Sequence, residues 1–563
     1  MNTIYKIKTE IKKVLGFEVD INYPPSSDLG DLSLALFAIA KSKGKNPIEL
    51  AKEISQKINQ NKKLRPIIQK AEAVGPYINI FLNYAHLSAQ VLSDIKKNKS
   101  KYGQNKSGKK IGVMIEFSNG NTHKEVHIGH LRNISLGDAV TKLLSTSGYK
   151  AIPVSYINDF GIHTAKTLWH FLKNTKYYES LSDNKGYLLG VCYRDAVKAI
   201  GEDEKAKEEV SKTMKAIESR QGEIYKLWQK TRLWSINYLK EVYQTLDIKL
   251  QKTFYESEVI ADGLKIVEQL IKKGVLVKSQ GAIIADLELY NLGVLPIIRS
   301  DGTALYPVAD LALAARKFKE YKIAESIYIV DVRQSLYFKQ LFKILELMGY
   351  KQRISHLTYD FVTLPSGMMS SRSGNIVTYS DLLIEAIEHA ATETKAKRPE
   401  WSDKKIKQVA TDLAISTIKF EMLKVSSQKT ITFDIREALR FEGYTATYLQ
   451  YTHARIMSII KKAGKKKDKI DYALLLETTE KTLIMKLAKY PETIIRGTKN
   501  YDPSEITKYL FELCQDFNDY YHNIPIIKSP DKIQVARLEL AGAVGQTIKN
   551  GLELLGIKAI NEI

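Results

Sequence analysis

The sequence predicts an α/β protein built around a doubly wound parallel sheet, with a small α/β domain before it and an all-helical domain after it. Residues Ile111–Phe117 form a strand pattern, an amphipathic helix pattern follows His127, and Ala151–Asp159 forms the next strand pattern. A strand, a helix and a strand within about 45 residues are typical of a parallel βαβ unit. From Trp401 onward, helix patterns follow one another without further strand alternation.

The composition is that of a folded protein with a strong positive charge. Its 563 residues are 44% hydrophobic and carry 85 Lys and Arg against 63 Asp and Glu, a formal net charge of +22. This apolar content excludes a mainly disordered chain. Two cysteines, Cys192 and Cys514, are too few for a disulfide framework or a cysteine-based zinc site, so we expect no zinc.

The surplus of positive charge favours a polyanionic partner, and nucleic acid is the commonest one. A lysine-rich solvated surface is the alternative explanation. The first residues lack the apolar core of a signal peptide, and no run of about 18 apolar residues occurs. We therefore expect a cytoplasmic protein without membrane contact.

The first hundred residues have the pattern of a small α/β domain. A turn at Asp28–Asp31 precedes helical periodicity over residues 32–58, which Asn46 and Pro47 interrupt. A turn at Gly75 and Pro76 introduces a strand over residues 77–83. The polar segment Lys96–Lys110 is the best candidate for a linker.

The region after the first βαβ unit contains a predicted helical insertion, over about residues 165–275. Strand patterns return at residues 281–290, 296–302 and Ser326–Val332. In the helical C-terminal part, the basic run Lys461–Lys469 fits a loop between helices, with contact to a phosphate backbone as an alternative.

The sharpest short motif is His127-Ile128-Gly129-His130, which lies between a predicted strand and a predicted helix. Phosphates bind at such helix starts because free N–H groups and the helix dipole favour negative charge. Gly129 would let an adenine approach the backbone, and two histidine N–H donors would stabilise charge on a pentavalent α-phosphate. The alternative is a pair of ordinary histidines at a helix start.

This motif and its neighbours resemble the class I aminoacyl-tRNA synthetases, and among them the arginyl-tRNA synthetase family. The resemblance spans nearly the whole chain and includes these segments: residues 30–47, 74–83, 115–139, 158–161, 300–310, 334–342 and 441–456. It implies an N-terminal additional tRNA-binding domain at 1–105 and a Rossmann-type catalytic domain at 106–400, with a signature loop at 366–376. The rest, 401–563, would be a helical anticodon-binding domain.

The resemblance also assigns residues to an arginine pocket. It implies that Glu116, Tyr306 and Asp310 recognise the guanidinium, while Asn121 and Gln334 hold the amino-acid end of the substrate. A guanidinium is a planar charged fork that demands carboxylates and other acceptors. The spacing of Tyr306 and Asp310 places both on one face of a helix start. The alternatives are a core aromatic for Tyr306 and a helix-dipole charge for Asp310.

The second class I signature is incomplete in this chain. The segment Met368–Gly374 keeps a Met-Ser pair but lacks both lysines that would neutralise the pyrophosphate. Arg372 and Lys124 are the candidate substitutes, and we expect Lys124 to contribute more; the alternative is a solvated loop lysine. By resemblance, the ATP-binding residues are His127, Gly129, His130, Met369, Ser370 and Ser371, and the catalytic ones are His127, His130, Lys124 and Arg372.

The chain departs from the family pattern at several positions. His163 replaces a usual Gln and Tyr337 a usual His, whereas Tyr444 and Thr447 replace the Asn and Pro that open the anticodon-binding domain. In that domain, aromatic side chains can stack on unpaired bases, although each aromatic is also a candidate core residue. The tRNA-binding candidates are Tyr448, Gln450, Tyr451 and Arg455, with Tyr520 and Tyr521 as further stacking candidates.

The resemblance implies an enzyme, a ligase that activates L-arginine with ATP and Mg²⁺ and transfers it to tRNA(Arg). Activation is expected to require bound tRNA, and the enzyme is expected to be a monomer. Three alternatives stay open: another class I synthetase (for cysteine, glutamate or lysine), an H-x-G-H nucleotidyltransferase, and a non-catalytic tRNA-binding relative. The two distant cysteines argue against the zinc site of a cysteine enzyme.

Overall fold

A computed structural model describes residues 3–365, 367, 377–464 and 470–563. The predicted signature segment, with Met369, Ser370, Ser371 and Arg372, therefore lies outside the described residues, as does most of the basic run Lys461–Lys469. Among the described helices, none combines the length and the apolar content needed to cross a bilayer.

The N-terminal domain packs four helices on an antiparallel sheet of order β1-β2-β4-β3. Its elements are α1 (Thr3–Leu15), β1 (Ile21–Asn22), β2 (Leu32–Ala35), α2 (Phe37–Ser42), α3 (Pro47–Gln60), β3 (Ile68–Val74), β4 (Tyr77–Leu82) and α4 (Tyr84–Asn98). The predicted helix restart is confirmed, because the Asn46 side chain caps α3 and Pro47 is its first residue. The predicted helix over Leu32–Ala35 is wrong, since Leu32 and Leu34 alternate into the core as strand residues.

The predicted linker is an ordered, packed segment. Helix α4 continues into it, and Tyr102 is buried with its ring stacked 5.9 Å from that of Tyr490. The Tyr102 hydroxyl donates to the Leu487 carbonyl at 2.9 Å. One aromatic side chain thus anchors a polar stretch to the C-terminal helices, which composition alone did not indicate.

The middle domain, which the resemblance implies is catalytic, contains a five-stranded, all-parallel sheet of order β12-β11-β5-β6-β7. Its strands are β5 (Gly112–Glu116), β6 (Lys150–Ile157), β7 (Lys252–Tyr255), β11 (Glu325–Asp331) and β12 (Arg353–Tyr359). Helix α5 (Ile128–Thr146) crosses from β5 to β6, which confirms the predicted βαβ unit. Strand order reverses between β5 and β11, and parallel sheets bind ligands beside the carboxyl ends of their strands at such a point.

Helices of the insertion connect β6 to β7. They are α6 (Ile162–Lys173), α7 (Thr175–Leu181), α8 (Lys185–Ile200), α9 (Glu204–Glu218) and α10 (Gly222–Thr245). The insertion ends earlier than predicted, because Lys252–Tyr255 returns to the central sheet. The other helices and strands of this domain are α11 (Ile260–Lys272), the antiparallel strands β8 (Val277–Ser279), β9 (Ala282–Asp286) and β10 (Val294–Ile298), α12 (Tyr306–Glu320), α13 (Ser335–Leu347) and β13 (Val362–Thr363).

The C-terminal part is helical, as predicted, apart from one short strand that pairs in parallel with β13. Its elements are α14 (Tyr379–Lys397), α15 (Asp403–Leu423), β14 (Ile431–Thr432), α16 (Ile435–Ala438), α17 (Ala446–Ala463), α18 (Thr478–Asn500), α19 (Ser504–Asn523) and α20 (Asp531–Leu554). A continuous apolar core joins side chains from the N-terminal, catalytic and C-terminal parts.

Candidate active site

The His127–His130 motif forms the first turn of α5 and caps it reciprocally. The Gly129 N–H donates to Nδ1 of His127, and the His127 N–H donates to Nδ1 of His130, each at 3.1 Å. Because both Nδ1 atoms accept, the proton of each neutral ring lies on Nε2. Burial, assisted by the nearby Lys124 ammonium, lowers the pKa of His127 to about 4. Burial, His127 and Lys124 hold the pKa of His130 well below its usual range, so both rings are neutral N–H donors at pH 7.

A cavity of about 470 Å³ opens beside this helix start, at the carboxyl ends of β5 and β11. It is lined by five residues predicted to bind substrates: Asn121, His127, Gly129, His130 and Gln334. Asn133 was not predicted, yet its amide donates to the Ile329 carbonyl at 2.7 Å and so ties α5 to β11. The cavity lies at the switch point of the sheet, and its volume is in the range of small-molecule sites.

An acidic cluster of carboxyl groups lies near the Tyr156 side chain, at the carboxyl end of β6. The carboxyl groups of Glu116, Asp159, Glu256 and Asp310 all raise the pKa of Tyr156, in addition to burial. Two of the four are neutralised internally: Lys317 pairs with Glu116, and Arg232 donates to Asp159 at 2.5 Å. Within the described part of the chain, Asp310 and Glu256 have no ion-pair partner.

Asp310 and Glu256 therefore have carboxyl groups with which no described residue forms an ion pair, although the Lys317 ammonium acts on Asp310 from a distance. Burial raises the pKa of Asp310 to about 6, even though a hydrogen bond from Tyr337 favours its ionised form. Burial, Asp159 and Asp310 together raise the pKa of Glu256 to about 8, and its Oε2 atom has no hydrogen-bond partner among the described residues. Sequence reasoning missed Glu256, because no spacing marks it and only the fold brings it to Asp310.

The two other side chains predicted for the guanidinium have different outcomes. The prediction that Glu116 binds the guanidinium is corrected. Glu116 is 2% exposed and pairs with Lys317, which is 0% exposed, so its charge is already balanced. Tyr306 is the first residue of α12 and precedes Asp310 by four positions, as the spacing predicted. It is 66% exposed, so it lies at the surface rather than within the acidic cluster.

Lys124 lies in the loop between β5 and α5 and is largely buried. Its Nζ is 4.7 Å from the ring centroid of Tyr193, on the insertion helix α8. The chain leaves the undescribed signature segment beside this loop, because the Tyr379 N–H donates to the Val126 carbonyl at 2.8 Å. Lys124 and the residues that follow that segment thus border the same helix start.

The predicted tRNA-binding residues all lie on α17, but they differ in accessibility. The prediction that Gln450 binds tRNA is corrected. Gln450 is 0% exposed and its amide donates to Ser416 Oγ and to the Lys558 carbonyl, so it holds helices together. Tyr448 is half-buried and accepts a hydrogen bond from Asn518. Tyr520 is fully buried and cannot stack on a base without rearrangement of the helices.

Tyr451 and Arg455 line a second cavity, of about 700 Å³, in the helical domain. The Arg455 guanidinium lies 5.0 Å from the Tyr451 ring centroid and 5.4 Å from that of Tyr521. Trp401 and Arg398 form another part of the wall. Aromatic rings alternating with cations are typical of surfaces that hold unpaired bases.

The parallel sheet, the cavity at its switch point and the His127–His130 helix start define a class I aminoacyl-tRNA synthetase. The family model "tRNA synthetases class I (R), catalytic domain" matches residues 91–435. "Arginyl tRNA synthetase N terminal domain" matches residues 2–82, and "DALR anticodon binding domain" matches 449–563.

Similar proteins point to one family. An arginine–tRNA ligase of Bdellovibrio bacteriovorus is 37% identical over 549 residues, covering 95% of this chain and 93% of that protein. One from Treponema denticola is 33% identical over 560 residues, covering 96% and 94%. The solved arginyl-tRNA synthetase of Thermus thermophilus superposes with a TM-score of 0.82 at 26% identity, over 100% of this chain and 99% of that one. The chain belongs to the arginyl-tRNA synthetase family.

Proposed function

We propose that this chain is an arginine–tRNA ligase that forms arginyl-adenylate from L-arginine and ATP and transfers the arginyl group to tRNA(Arg). The observation that carries the proposal is the acidic cluster, taken as the arginine pocket, in which Asp310 and Glu256 have no ion-pair partner among the described residues, together with a helix start suited to a nucleotide. A buried pair of carboxyl groups without a partner selects a ligand that brings a positive charge.

The guanidinium of arginine fits this pocket better than other cationic side chains. Its planar fork can donate to two carboxylates at once, whereas a lysine ammonium is a point charge. Tyr337 donates to Asp310 and would hold that carboxylate in place. Citrulline would leave both carboxylates without a counter-charge, which costs affinity.

In the first step, a carboxylate oxygen of arginine attacks the α-phosphorus of ATP, and the bond to the bridging oxygen of pyrophosphate breaks. The Nε2–H groups of His127 and His130, with the start of α5, would stabilise the charge on the α-phosphate. Lys124 would neutralise the departing pyrophosphate, with Arg372 as a second candidate. ATP would enter as its Mg²⁺ complex. No protein nucleophile is required, so catalysis rests on positioning and electrostatics.

In the second step, a hydroxyl of the 3′-terminal adenosine attacks the activated carbonyl carbon, the bond to the phosphate oxygen breaks, and AMP leaves. Class I membership implies that the 2′-hydroxyl attacks first. The hydroxyl proton passes to the departing AMP phosphate or to solvent, so the protein supplies no group that is consumed.

Two surfaces are proposed for the tRNA. In the helical domain, Tyr451 and Arg455 would bind unpaired anticodon bases, with Tyr448 at the edge. In the N-terminal domain, the rings of Phe37 and Tyr77 pack edge to face at 5.6 Å and are 52% and 44% exposed. Such an exposed pair suits stacking by an unpaired base of the tRNA elbow. We place the reaction in the cytoplasm, where these substrates occur together, and propose a monomer on the family resemblance.

Arginine-dependent ATP–pyrophosphate exchange, with and without tRNA(Arg), tests the proposal. We expect exchange with arginine when tRNA is present and none with cysteine, glutamate or lysine. Exchange with one of those amino acids instead would assign a different class I synthetase. No exchange at all, with tRNA binding retained, would indicate a non-catalytic tRNA-binding protein.

A further inference from the structure

Helix α8 of the insertion contacts the loop that carries Lys124 at several points. The Lys124 ammonium lies over the ring of Tyr193, and the next residue, the buried Glu125, forms an ion pair with the half-buried Arg194. Helix α8 also approaches this loop closely at Gly190, where an added Cβ would overlap the Glu125 side chain. Adjacent residues of the helix thus hold adjacent residues of the loop.

The preceding loop residue, His123, is held by insertion helix α10. Its N–H donates to Ser235 Oγ at 2.9 Å, and its ring Nε2 lies 2.9 Å from Thr231 Oγ1. His123 has a φ of +60°, a left-handed conformation that non-glycine residues rarely adopt. Such a conformation persists only where the surroundings impose it, and here α10 does so.

These contacts concern a side chain that would otherwise be mobile. A lysine carries four carbon–carbon torsions, and fixing them during the reaction costs conformational entropy. A cation held over an aromatic face in a dry site has lost that freedom before substrate arrives. The Lys124 ammonium also helps to lower the pKa of His127 and of His130, so its charge acts on the same helix start.

We infer that the helical insertion is a positioning device for Lys124, in which Tyr193 and Arg194 of α8 and Thr231 and Ser235 of α10 hold residues 123–125 in their working conformation. The inference rests on the proposed role of Lys124 as the pyrophosphate cation. These four residues are positioning residues, because they act on the substrate only through the loop. The fold therefore assigns a function to a segment that sequence patterns identify only as helical.

Pyrophosphate exchange by the full chain with tRNA(Arg) tests this in a double-mutant cycle. We expect Lys124→Ala to lower kcat at least tenfold and Tyr193→Leu to lower it about threefold to tenfold, with a smaller change in KM for ATP. Tyr193→Phe keeps the ring face and should retain the rate. Tyr187→Leu, on the same helix, is the matched control. In the Lys124→Ala background, Tyr193→Leu should have no further effect.

Three outcomes would overturn the inference. An unchanged kcat in Tyr193→Leu, with kcat lowered in Lys124→Ala, would reject the inference and leave the proposed function intact. An equal loss of kcat from Tyr193→Leu in both backgrounds would assign Tyr193 a general structural role. An unchanged rate for Lys124→Ala would remove the role of Lys124 itself and the inference with it. If Tyr193→Leu fails to fold, Ser235→Ala with Thr231→Val replaces it in the same cycle.

Discussion

On the proposed function, Glu256 and Asp310 are the residues at which arginine binding and protonation would compete. Their pKa values, about 8 and about 6, lie above those of ordinary carboxyl groups, so the pair is partly protonated near neutrality. A guanidinium pairs with the ionised forms. Arginine binding should therefore tighten as pH rises and should release protons into solution below the raised pKa values.

We expect KM for arginine to fall by up to about a hundredfold between about pH 6 and pH 8, since a required ionisation contributes up to tenfold per pH unit below its pKa and Glu256, with a pKa of about 8, dominates. Exchange kinetics across this range would measure it. Inhibition by citrulline, which is uncharged, should vary far less, and Glu256→Gln should flatten the profile. Tyr337→Phe removes a hydrogen bond that lowers the pKa of Asp310, so it should move the profile to higher pH. A flat profile for the unaltered chain would contradict the pairing.

Among the elements, the central sheet was the most predictable from sequence and the packed connections the least. The predicted strand Ile111–Phe117 is observed as Gly112–Glu116, because a fully buried strand leaves a continuous apolar run. In contrast, Leu32–Ala35 has small and apolar residues that satisfy helical and strand periods equally, and pairing with β4 decides for the strand.

The residues of the site could be predicted from the sequence where they form a local motif. They could not be predicted where only the fold brings them together. His127, Gly129 and His130 are recognisable because capping and phosphate binding both need them within one turn. Glu256 has no such local reason, since its environment depends on side chains more than 50 positions away. The Glu116–Lys317 ion pair likewise could not be predicted from the sequence, because its two residues come from different layers of the fold.

Helix α5 depends on a close approach to the end of β5. A Cβ added at Gly137 would overlap the Phe117 ring. We expect Gly137→Ala to lower the midpoint of thermal unfolding, because overpacking costs about 1–3 kcal/mol and outweighs a helix-propensity gain of about 1 kcal/mol. It should also slow adenylate formation, because a displaced α5 carries His127 and His130 with it.

Gly542 offers a matched control for this substitution. It lies within α20, and a Cβ there would meet only Ile460 Cδ1, at 3.8 Å. Gly542→Ala should leave the midpoint unchanged or raise it, as measured by calorimetry on both variants. Equal midpoints for the two alanine variants would contradict the close contact between α5 and Phe117.

At the scale of the whole molecule, a net positive charge contrasts with a local acidic cluster. The chain carries a net charge of +22, yet four carboxyl groups lie near Tyr156. A net positive charge attracts a polyanion from a distance and makes its binding sensitive to salt. On the proposed function, the acidic cluster would then select the small cation that the reaction needs.

The anticodon contact can be tested independently of the chemistry, because the cavity around Tyr451 and Arg455 lies in the helical domain. Stacking on an aromatic side chain contributes about 1–3 kcal/mol per base, so Tyr451→Ala should raise KM for tRNA(Arg) at least fivefold, while kcat recovers at saturating tRNA. Aminoacylation kinetics would measure both. Tyr520→Phe is the control, because Tyr520 is 0% exposed and its hydroxyl lacks a hydrogen-bond partner among the described residues. A loss of kcat at saturating tRNA in Tyr451→Ala would mean that this cavity acts on catalysis rather than on binding, and an unchanged KM would move the anticodon contact to another face of the helices.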